Sequence, residues 1–394
     1  MLALAFGATW AALVVYLLFR AITQFRAHRA SALETGSMPT RLPSISIIVP
    51  VRNEIDNISH CLTGLRAQTC LDSCSSIIIV DDESGDGTAA AVEREIASGS
   101  PIRLAAAGSL PQGWTGKPHA CWRGALLADG DWLCFIDADV RAAPRLVAAA
   151  VMAADGQEID MLSLHPFQEL GSFWERVVVP VGMLIIACAK SRRMVHDWVA
   201  SEGNTNGQFL LIRRDIYFKV GGHAAVRAEI CEDKALAARV KLAGFRFRVF
   251  TAEHLARTRM YRDFNSLWEG FAKNATEILG SVAATVFAAA AAFVIGWSAL
   301  LLPIVIGSAA FRDPSVTIAA GAALAFVGSV VVVGIHLATA RHFRIPAVFG
   351  LFFALGYTVA ACLACRSALA QFTGRVTWKG RTYQLHRKIA PGHS

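Results

Sequence analysis

Long apolar runs near both ends of the 394-residue chain limit its possible folds more than any other feature. Residues 1–19 are almost wholly apolar, and three more such runs cover residues 281–307, 316–339 and 346–365. Runs of about 20 apolar residues are long enough to cross a bilayer as helices. Hydrophobic residues make up 54% of the chain and charged residues only 17%, which is typical of a membrane protein with a soluble part.

The first apolar run is followed by basic residues, Arg20, Arg26 and Arg29, whereas a signal peptide is preceded by them. The positive-inside rule then places the C-terminal end of this segment in the cytoplasm. We therefore expect a multi-pass protein of the cell inner membrane with its soluble domain in the cytoplasm. The predicted parts are a transmembrane anchor over 1–20, a linker over 21–43, a soluble domain over 44–280, membrane segments over 281–365 and a basic cytosolic tail over 366–394.

The last three apolar runs raise a question of topology. Three full crossings would place the basic tail outside, against the positive-inside rule. One run is therefore expected to be re-entrant or interfacial. The first of them, which contains Pro303, is a candidate, but the sequence does not decide which run it is.

The soluble domain begins with two repeats of strand, polar loop and helix. The apolar stretches 45–49 and 77–80 read as buried strands, each followed by a polar loop and a helical pattern, which predicts an α/β domain with a mostly parallel sheet. Open sheets of this kind bind ligands beyond the carboxyl ends of their strands, where carboxylates accept hydrogen bonds from a ribose or a base. The alternative is that some of the acidic residues only cap the next helix. The residues in these loops are Pro50, Asn53, Glu54, Asp81, Asp82 and Asp86.

Two carboxylates, Asp137 and Asp139, follow the apolar stretch 132–136. Hard oxygen ligands suit Mg²⁺ or Mn²⁺, and such ions are usually held by one or two carboxylates together with substrate phosphates. Upstream, Lys117 lies in a glycine-flanked loop, where an ammonium group would neutralise a diphosphate. These residues predict a diphosphate-carrying substrate. The alternatives are that Asp137 and Asp139 only end a strand and start a turn, and that Lys117 is a solvated surface lysine.

The order and spacing of these elements resemble the family-2 glycosyltransferases of the GT-A fold. The matching stretches are residues 46–50, 53–54, 80–88, 116–117 and 137–139. The resemblance implies a nucleotide-diphosphate-sugar donor, with Asp81 or Asp82 on the base, Lys117 near the diphosphate and a divalent ion, Mg²⁺ or Mn²⁺, on Asp137 and Asp139. The implied donor-binding residues are Pro50, Asn53, Glu54, Asp81, Asp82, Lys117 and Asp137.

Residues 203–214 and 229–236 resemble the acceptor-side strand and the Glu-Asp motif of the same enzymes. The resemblance implies that Asp233 is the general base, which takes the proton from an acceptor hydroxyl during inverting transfer. Without this resemblance, Glu232 and Asp233 would be interpreted as acidic residues in the first turn of a helix. The implied acceptor or closure residues are Gly207, Gln208, Glu232, Arg259, Trp268 and Lys273.

An apolar, partly aromatic segment over 173–190 contains Pro180 and is marginal in length for a span. A crossing here would place Asp139 and Asp233 on opposite sides of the membrane. We therefore expect an interfacial segment, and a plain core helix is the alternative.

Residues 257–274 lack the Gln-x-x-Arg-Trp pattern of processive relatives such as cellulose and hyaluronan synthases, which favours a single transfer. The chain looks closest to bacterial membrane glycosyltransferases of hopanoid and carotenoid pathways, and more distantly to ceramide glucosyltransferases. Residues 374–383 share in this likeness. It implies a UDP- or GDP-sugar donor and a membrane lipid acceptor that is a hopanoid, a carotenoid or sphingolipid-like.

Two alternatives remain open: a polyprenyl-phosphate glycosyltransferase, and a catalytically inactive, membrane-anchored nucleotide-sugar-binding protein. Nucleic acid is not an expected partner. The net charge of +8, without a nucleic-acid motif, fits anionic lipid headgroups or an anionic substrate better.

Overall fold

The computed structural model describes residues 1–36, 42–70, 73–96, 101–189 and 205–384. The helices are α1 Leu2–Ala30, α2 Ile55–Arg66, α3 Thr88–Ile96, α4 Gly116–Leu127, α5 Leu146–Gly156, α6 Phe173–Ala189, α7 Arg214–Lys219, α8 Glu232–Leu242, α9 Phe264–Leu279, α10 Val282–Arg312, α11 Val316–His342 and α12 Phe353–Thr373. The strands are β1 Ile45–Val51, β2 Cys74–Asp81, β3 Ile102–Ala106, β4 Trp132–Ile136, β5 Val140–Ala142, β6 Met161–His165, β7 Phe167–Gln168, β8 Phe209–Arg213, β9 Phe247–Thr251, β10 Ala256–Thr258, β11 Arg375–Trp378 and β12 Arg381–Gln384. Two 3₁₀ turns cover Gly222–Val226 and Ala347–Phe352.

The soluble domain is built on a seven-stranded sheet of order β3-β2-β1-β4-β8-β6-β9. Strand β1 runs parallel to β2 and to β4, and only β8 is antiparallel to its neighbours. Successive residues of β1 face opposite sides of the sheet, so that Ile47 and Val49 pack in one core and Ile48 in the other. Helices α2, α3 and α5 cover the first face, and α4 and α8 cover the second. The predicted mostly parallel α/β domain is confirmed.

The sheet order reverses direction at β1. The chain moves outward from β1 to β2 and β3, and then returns to place β4 on the other side of β1. The loops that follow β1 and β4 therefore leave the sheet in different directions and open a crevice at this edge. Apart from Lys117, the predicted donor and metal residues lie at or directly after the carboxyl ends of β1, β2 and β4.

Four helical stretches are long and apolar enough to cross a membrane: Leu2–Ala30, Val282–Arg312, Val316–His342 and Ala347–Thr373. Helices α1 and α11 approach closely at two glycines, since a Cβ added to Gly7 would lie 2.3 Å from the carbonyl oxygen of Gly321. Small residues at such a crossing allow backbones to pack tightly within a bilayer. The protein is therefore associated with the membrane through helices at both ends of the soluble domain.

The boundaries of the predicted anchor and linker differ from the structure. Helix α1 continues to Ala30, because residues 21–30 contain no glycine or proline that would end it. Beyond the helix, Ala32 pairs with Thr251 at the edge of the soluble domain, so this part of the predicted linker belongs to the fold. Residues 37–41 of the linker lie outside the described residues.

The last apolar stretch begins and ends against the soluble domain. Just before it, the Arg344 guanidinium lies 4.5 Å from the centroid of the Phe167 ring in β7. Near its end, the Ser367 hydroxyl accepts a hydrogen bond of 3.0 Å from the backbone N–H of Thr276 in α9. A full crossing would carry the two ends to opposite sides of the membrane. We therefore interpret the last run as the expected re-entrant or interfacial segment, which stays a prediction, whereas the run with Pro303 is part of the continuous helix α10.

The predicted tail and interfacial segment also take definite structure. Helix α12 extends to Thr373, and β11 and β12 form an antiparallel hairpin, so the first part of the predicted 366–394 tail is folded. Residues 385–394 lie outside the described residues.

The segment predicted over 173–190 is helix α6 up to Ala189, and residue 190 is outside the described part of the chain. Its residues 177–182 are buried. Its position at the membrane surface stays a prediction.

Candidate active site

Lys117 is the centre of a group of charged side chains at the crevice. Its Nζ atom lies 2.7 Å from Oδ1 of Asp137 and 3.1 Å from Oε1 of Glu232. It also donates a hydrogen bond of 3.2 Å to the carbonyl oxygen of Gly207. Lys117 belongs to the first turn of α4, Asp137 follows β4 and Glu232 begins α8, so the fold brings Glu232 to a lysine that lies 115 positions earlier in the sequence.

The charges in this group stabilise one another. Burial alone would lower the pKa of Lys117, but Asp137 and Glu232 outweigh it and hold that pKa well above its usual value. Burial would raise the pKa of Glu232, but Lys117 and Lys273 outweigh it and lower that pKa. Both side chains are therefore ionised at neutral pH.

Asp139 has a buried side-chain oxygen, Oδ1, without a hydrogen-bond partner among the described residues. Burial, and then the neighbouring charges of Asp137 and Glu54, raise the pKa of Asp139 to about 7. The buried oxygen, next to a second carboxylate, fits a hard divalent cation such as Mg²⁺ or Mn²⁺.

Gln208 lies behind Asp139 in a buried polar network. Its Nε2 atom donates to Thr258 Oγ1 at 2.8 Å and lies 3.5 Å from Oδ2 of Asp139. Its Oε1 atom accepts from the side-chain amides of Gln168, at 3.1 Å, and Asn206, at 2.9 Å. The structure thus places Gln208, which was predicted on the acceptor side, where it orients Asp139.

Asp233 is in the first turn of α8, next to Glu232. Burial, and then the charge of Glu232, raise its pKa. A Cβ added to Gly207 would lie 3.3 Å from Cγ of Asp233 and 3.2 Å from Nζ of Lys117. The absence of a side chain at Gly207 therefore lets the predicted base and the predicted diphosphate-binding lysine approach the same point of the backbone.

The loops after β1 and β2 are tied to each other. Asn53 has a left-handed backbone conformation, with φ 50°, and its side-chain oxygen accepts a hydrogen bond of 2.9 Å from the N–H of Gly85. Asp86 accepts from the N–H of Thr88 and the N–H of Ile55, both at 3.0 Å, at the beginnings of α3 and α2. The capping alternative therefore applies to Asp86.

The acidic side chains of these two loops have different partners. Asp81 accepts from the N–H of Ser84 at 3.2 Å within its own loop. Asp82 instead pairs with Arg381, whose Nη1 atom lies 2.6 Å from Oδ2 of Asp82. Pro50 is the partly exposed residue next to the end of β1, where it pairs with Val80 across the sheet.

The C-terminal hairpin supplies site residues that the sequence analysis did not identify. Besides Asp82, Arg381 pairs with Glu83, and Lys379 pairs with Glu54. The Lys379 Nζ atom also donates to the carbonyl oxygen of Arg52 at 2.8 Å. The two cations flank Gly380 in the stretch Trp378 to Arg381, and this basic turn was the available sequence signal.

The three predicted closure residues have separate surroundings. Arg259 pairs with the buried Glu175 of α6 through its Nη2 atom at 2.9 Å and its Nε atom at 3.2 Å, so it joins β10 to α6. Trp268 packs in an apolar cluster with residues of α6 and α12. Lys273 is near the charged group, with its Nζ atom 4.5 Å from the centroid of the Trp378 ring, and burial lowers its pKa.

An apolar cleft lies between α6, α9, α10 and α12. Its cavity volume is about 60 Å³, and its lining is almost wholly apolar. Helix α9 connects this cleft with the charged group, because it carries both Lys273 and cleft-lining residues such as Phe271 and Ala275. The other walls include Val178, Ala292 and Leu363.

A mostly parallel sheet with paired carboxylates and a lysine at its switch point, joined to helices long enough to cross a membrane, has the architecture predicted for a membrane-bound GT-A enzyme. Residues 46–233 match the family model described as glycosyl transferase family 2. This match and the relatives described below support the family-2 glycosyltransferase that the sequence predicted. The roles of the individual site residues remain predictions.

Two relatives are similar to this chain in sequence, and one solved structure is similar in fold. The chain is 27% identical over 306 residues to the 4,4'-diaponeurosporenoate glycosyltransferase of Staphylococcus aureus strain MRSA252, covering 73% of this chain and 76% of the relative. The protein of the same name from strain N315 is 26% identical over 304 residues, with the same coverage. A mannosyltransferase from Pyrobaculum calidifontis, solved in complex with GDP-Man and Mn²⁺, has a similar fold, with a TM-score of 0.53, 17% identity and coverage of 94% of this chain and 99% of that one.

Proposed function

We propose that the protein transfers a single sugar, with inversion, from a UDP- or GDP-sugar to a membrane lipid acceptor. The observation that carries this proposal is the convergence of Lys117, Asp137, Asp139 and Asp233, together with an apolar cleft on the helix that carries Lys273. The charged group suits a nucleotide diphosphate, and the apolar lining of the cleft suits a lipid. The Pyrobaculum protein of the same fold was solved with GDP-Man, which supports a nucleotide-sugar donor.

Asp137 and Asp139 are the proposed ligands of a divalent cation, Mg²⁺ or Mn²⁺. When bound, such an ion neutralises the negative charge that develops on the departing diphosphate. Lys117 holds a second positive charge next to Asp137, and its raised pKa keeps it protonated for this purpose. Gln208 fixes the orientation of Asp139 through its contacts with Gln168 and Thr258.

Asp233 is the proposed general base. Burial and the charge of Glu232 raise its pKa, which makes it a stronger proton acceptor than an ordinary aspartate. It takes the proton of an acceptor hydroxyl as the oxygen attacks the anomeric carbon. An acceptor that is already ionised, such as a polyprenyl phosphate or a lipid carboxylate, needs no such base.

The apolar cleft is the proposed entry for the lipid acceptor. Its walls come from α6 and α9 on the side of the soluble domain and from α10 and α12 on the membrane side. The Staphylococcus aureus relatives are 4,4'-diaponeurosporenoate glycosyltransferases, which supports an elongated apolar acceptor of the carotenoid type. We place the enzyme in the cell inner membrane with the site on the cytoplasmic side, because the helix-flanking Arg26 and Arg29 favour that orientation.

The test is transfer by the purified full chain in detergent, with UDP- and GDP-sugars and total lipid extract, and mass spectrometry of the products. We expect a lipid whose mass has increased by one sugar residue, in a reaction that requires Mn²⁺ or Mg²⁺ and stops on chelation. A product with a sugar linked to polyprenyl phosphate would favour the alternative acceptor. Donor binding without transfer to any lipid would favour the inactive binding protein, and activity indifferent to chelation would contradict the metal role of Asp137 and Asp139.

The pKa of Asp139 predicts the pH dependence of cation binding. Because burial and the charges of Asp137 and Glu54 raise this pKa to about 7, the carboxyl is protonated below that pH and ionised above it. Protons therefore compete with the cation, and the affinity for Mn²⁺ is expected to fall by about tenfold per pH unit below the pKa and to level off above it. The measurement is the Kd of Mn²⁺ from pH 5.5 to 8.5. A Kd that does not change over this range would contradict the prediction.

A further inference from the structure

The C-terminal hairpin ends in a tight turn that points two cations at the donor side of the crevice. Strands β11 and β12 pair from Arg375–Gln384 to Trp378–Arg381, which leaves Lys379 and Gly380 as a two-residue turn. Both turn residues have left-handed backbones, with φ 45° at Lys379 and 76° at Gly380. This conformation matches the twist of a hairpin, but a lysine adopts it at a cost. The turn thus fixes the backbone positions from which the side chains of Lys379 and Arg381 extend.

The side chains at this turn reach three acidic residues at the ends of β1 and β2. Arg381 pairs with Asp82 at 2.6 Å and with Glu83, and Lys379 pairs with Glu54. The Asp82 side chain is only 4% exposed and the Arg381 side chain 16%. Oδ1 of Asp82 is buried and accepts no hydrogen bond from the described residues. The ion pair is therefore largely shielded from solvent, and the Asp82 carboxylate can still accept a hydrogen bond.

The hairpin also covers the beginning of α4, where the predicted diphosphate-binding lysine is located. A Cβ added to Gly116 would lie 3.0 Å from Nη1 of Arg381 and 3.3 Å from the hydroxyl of Tyr383. Gly116 directly precedes Lys117 and is the first residue of a 12-residue helix. The unpaired N–H groups at such a helix end favour anions. Arg381 thus adds a guanidinium to a place where a helix end and Lys117 already favour a diphosphate.

The hairpin is joined to the membrane part of the chain. It directly follows α12, and the ring of Trp378 lies 4.5 Å from Nζ of Lys273 on α9. Helix α9 in turn lines the apolar cleft. One short element therefore contacts both the donor side of the crevice and the helix that borders the proposed lipid entry.

We propose that the hairpin formed by residues 375–384 is a wall of the donor site, and that Arg381 and Lys379 bind the diphosphate of a nucleoside diphosphate sugar. This inference rests on the proposed function. In this arrangement the base and ribose of the nucleoside hydrogen-bond to Asp82 and Glu54. Its diphosphate then lies next to Arg381 and Lys379. The planar guanidinium of Arg381 contacts phosphate oxygens in a bidentate manner, and Lys379 contributes a point charge.

The test is direct binding of UDP and GDP, each with Mn²⁺, to the full chain in detergent by calorimetry. We expect Arg381→Ala to weaken binding of the preferred diphosphate by about tenfold or more, and Lys379→Ala to weaken it by about threefold or more. Arg381→Lys is expected to recover part of the loss, since it keeps the charge but not the fork geometry. The corresponding free nucleoside is expected to bind wild type and Arg381→Ala equally.

Arg375→Ala is the matched control. Arg375 is an exposed arginine of the same hairpin whose side chain makes no ion pair with the residues the structure describes, and its replacement is expected to leave binding within about twofold. The thermal midpoint of each variant separates loss of binding from loss of folding. If Arg381→Ala does not fold, the result with Lys379→Ala decides.

The possible outcomes are separable. Wild-type binding of neither UDP nor GDP would overturn the proposed function itself. Wild-type binding that Arg381→Ala and Lys379→Ala leave unchanged, or make tighter, would overturn the hairpin proposal and leave the proposed function standing. An equal loss with the free nucleoside would also overturn it, because that result would assign the hairpin to the nucleoside and not to the diphosphate.

Discussion

Replacing Asp139 by Asn is expected to reduce kcat/KM for sugar transfer by about 10³-fold or more, equivalent to about 4 kcal/mol of transition-state stabilisation. The substitution keeps the shape of the side chain but removes the charge that a divalent cation requires. The buried Oδ1 atom, which has no hydrogen-bond partner among the described residues, is the structural reason to expect so large an effect. The same variant is expected to lose Mn²⁺ binding in the absence of any substrate.

Asp215→Asn is the control for this prediction. Asp215 is an exposed aspartate on α7, so the same chemical change there is expected to leave both activity and Mn²⁺ binding unchanged. Because ionisation of Asp139 in its buried site is unfavourable, as its raised pKa shows, the asparagine variant is expected to be at least as stable as the wild type at neutral pH. Retention of full transfer and Mn²⁺ binding by Asp139→Asn would remove the metal role from this residue.

Replacing Asp233 by Asn is expected to have the second large effect, a loss of about 10²- to 10⁴-fold in kcat with an alcohol acceptor. Asparagine fills the same space next to Gly207 but cannot take a proton. The KM for the donor is expected to change little, because Lys117 and Asp137 remain in place. The measurement is steady-state transfer with the lipid identified by mass spectrometry, together with calorimetric binding of the nucleotide.

The same variant distinguishes the acceptor classes. A phosphate or carboxylate acceptor is ionised before it attacks, so Asp233→Asn would then retain most of its turnover. Full turnover with an alcohol lipid, in contrast, would exclude Asp233 as the base. Glu232→Gln is the useful companion, because Glu232 pairs with Lys117 and its loss is expected to raise the KM for the donor more than it lowers kcat.

Most of the fold was predictable, because local patterns specify it. The buried strands β1, β2 and β4 are continuous runs of apolar residues that end in polar loops, and such strands pair in parallel when helices separate them. The lengths of the apolar helices follow from composition in the same way. The packing of the last apolar run was not predictable, because it depends on contacts of both of its ends with distant segments of the chain.

The site was predictable in part, and the reason differs from residue to residue. Asp137 and Asp139 are neighbours in sequence, so their placement at a strand end follows from the strand. Gln208 and Arg259 were identified by resemblance, but their surroundings were not: Gln208 lies behind Asp139, and Arg259 is engaged by Glu175. These contacts join segments that are far apart in the chain, so no local pattern indicates them.

The sequence by itself determined that this protein has an α/β domain with acidic residues at the ends of parallel strands, bounded by helices long enough for a membrane. These features depend on residues within one strand, one loop or one helix. Only the tertiary structure decided that Lys117 joins Asp137 to Glu232, and that Arg381 and Lys379 return from the C-terminal end to Asp82 and Glu54. The physical reason is that pairing of side chains so distant along the chain depends on how helices and sheet pack, which the spacing of residues does not encode.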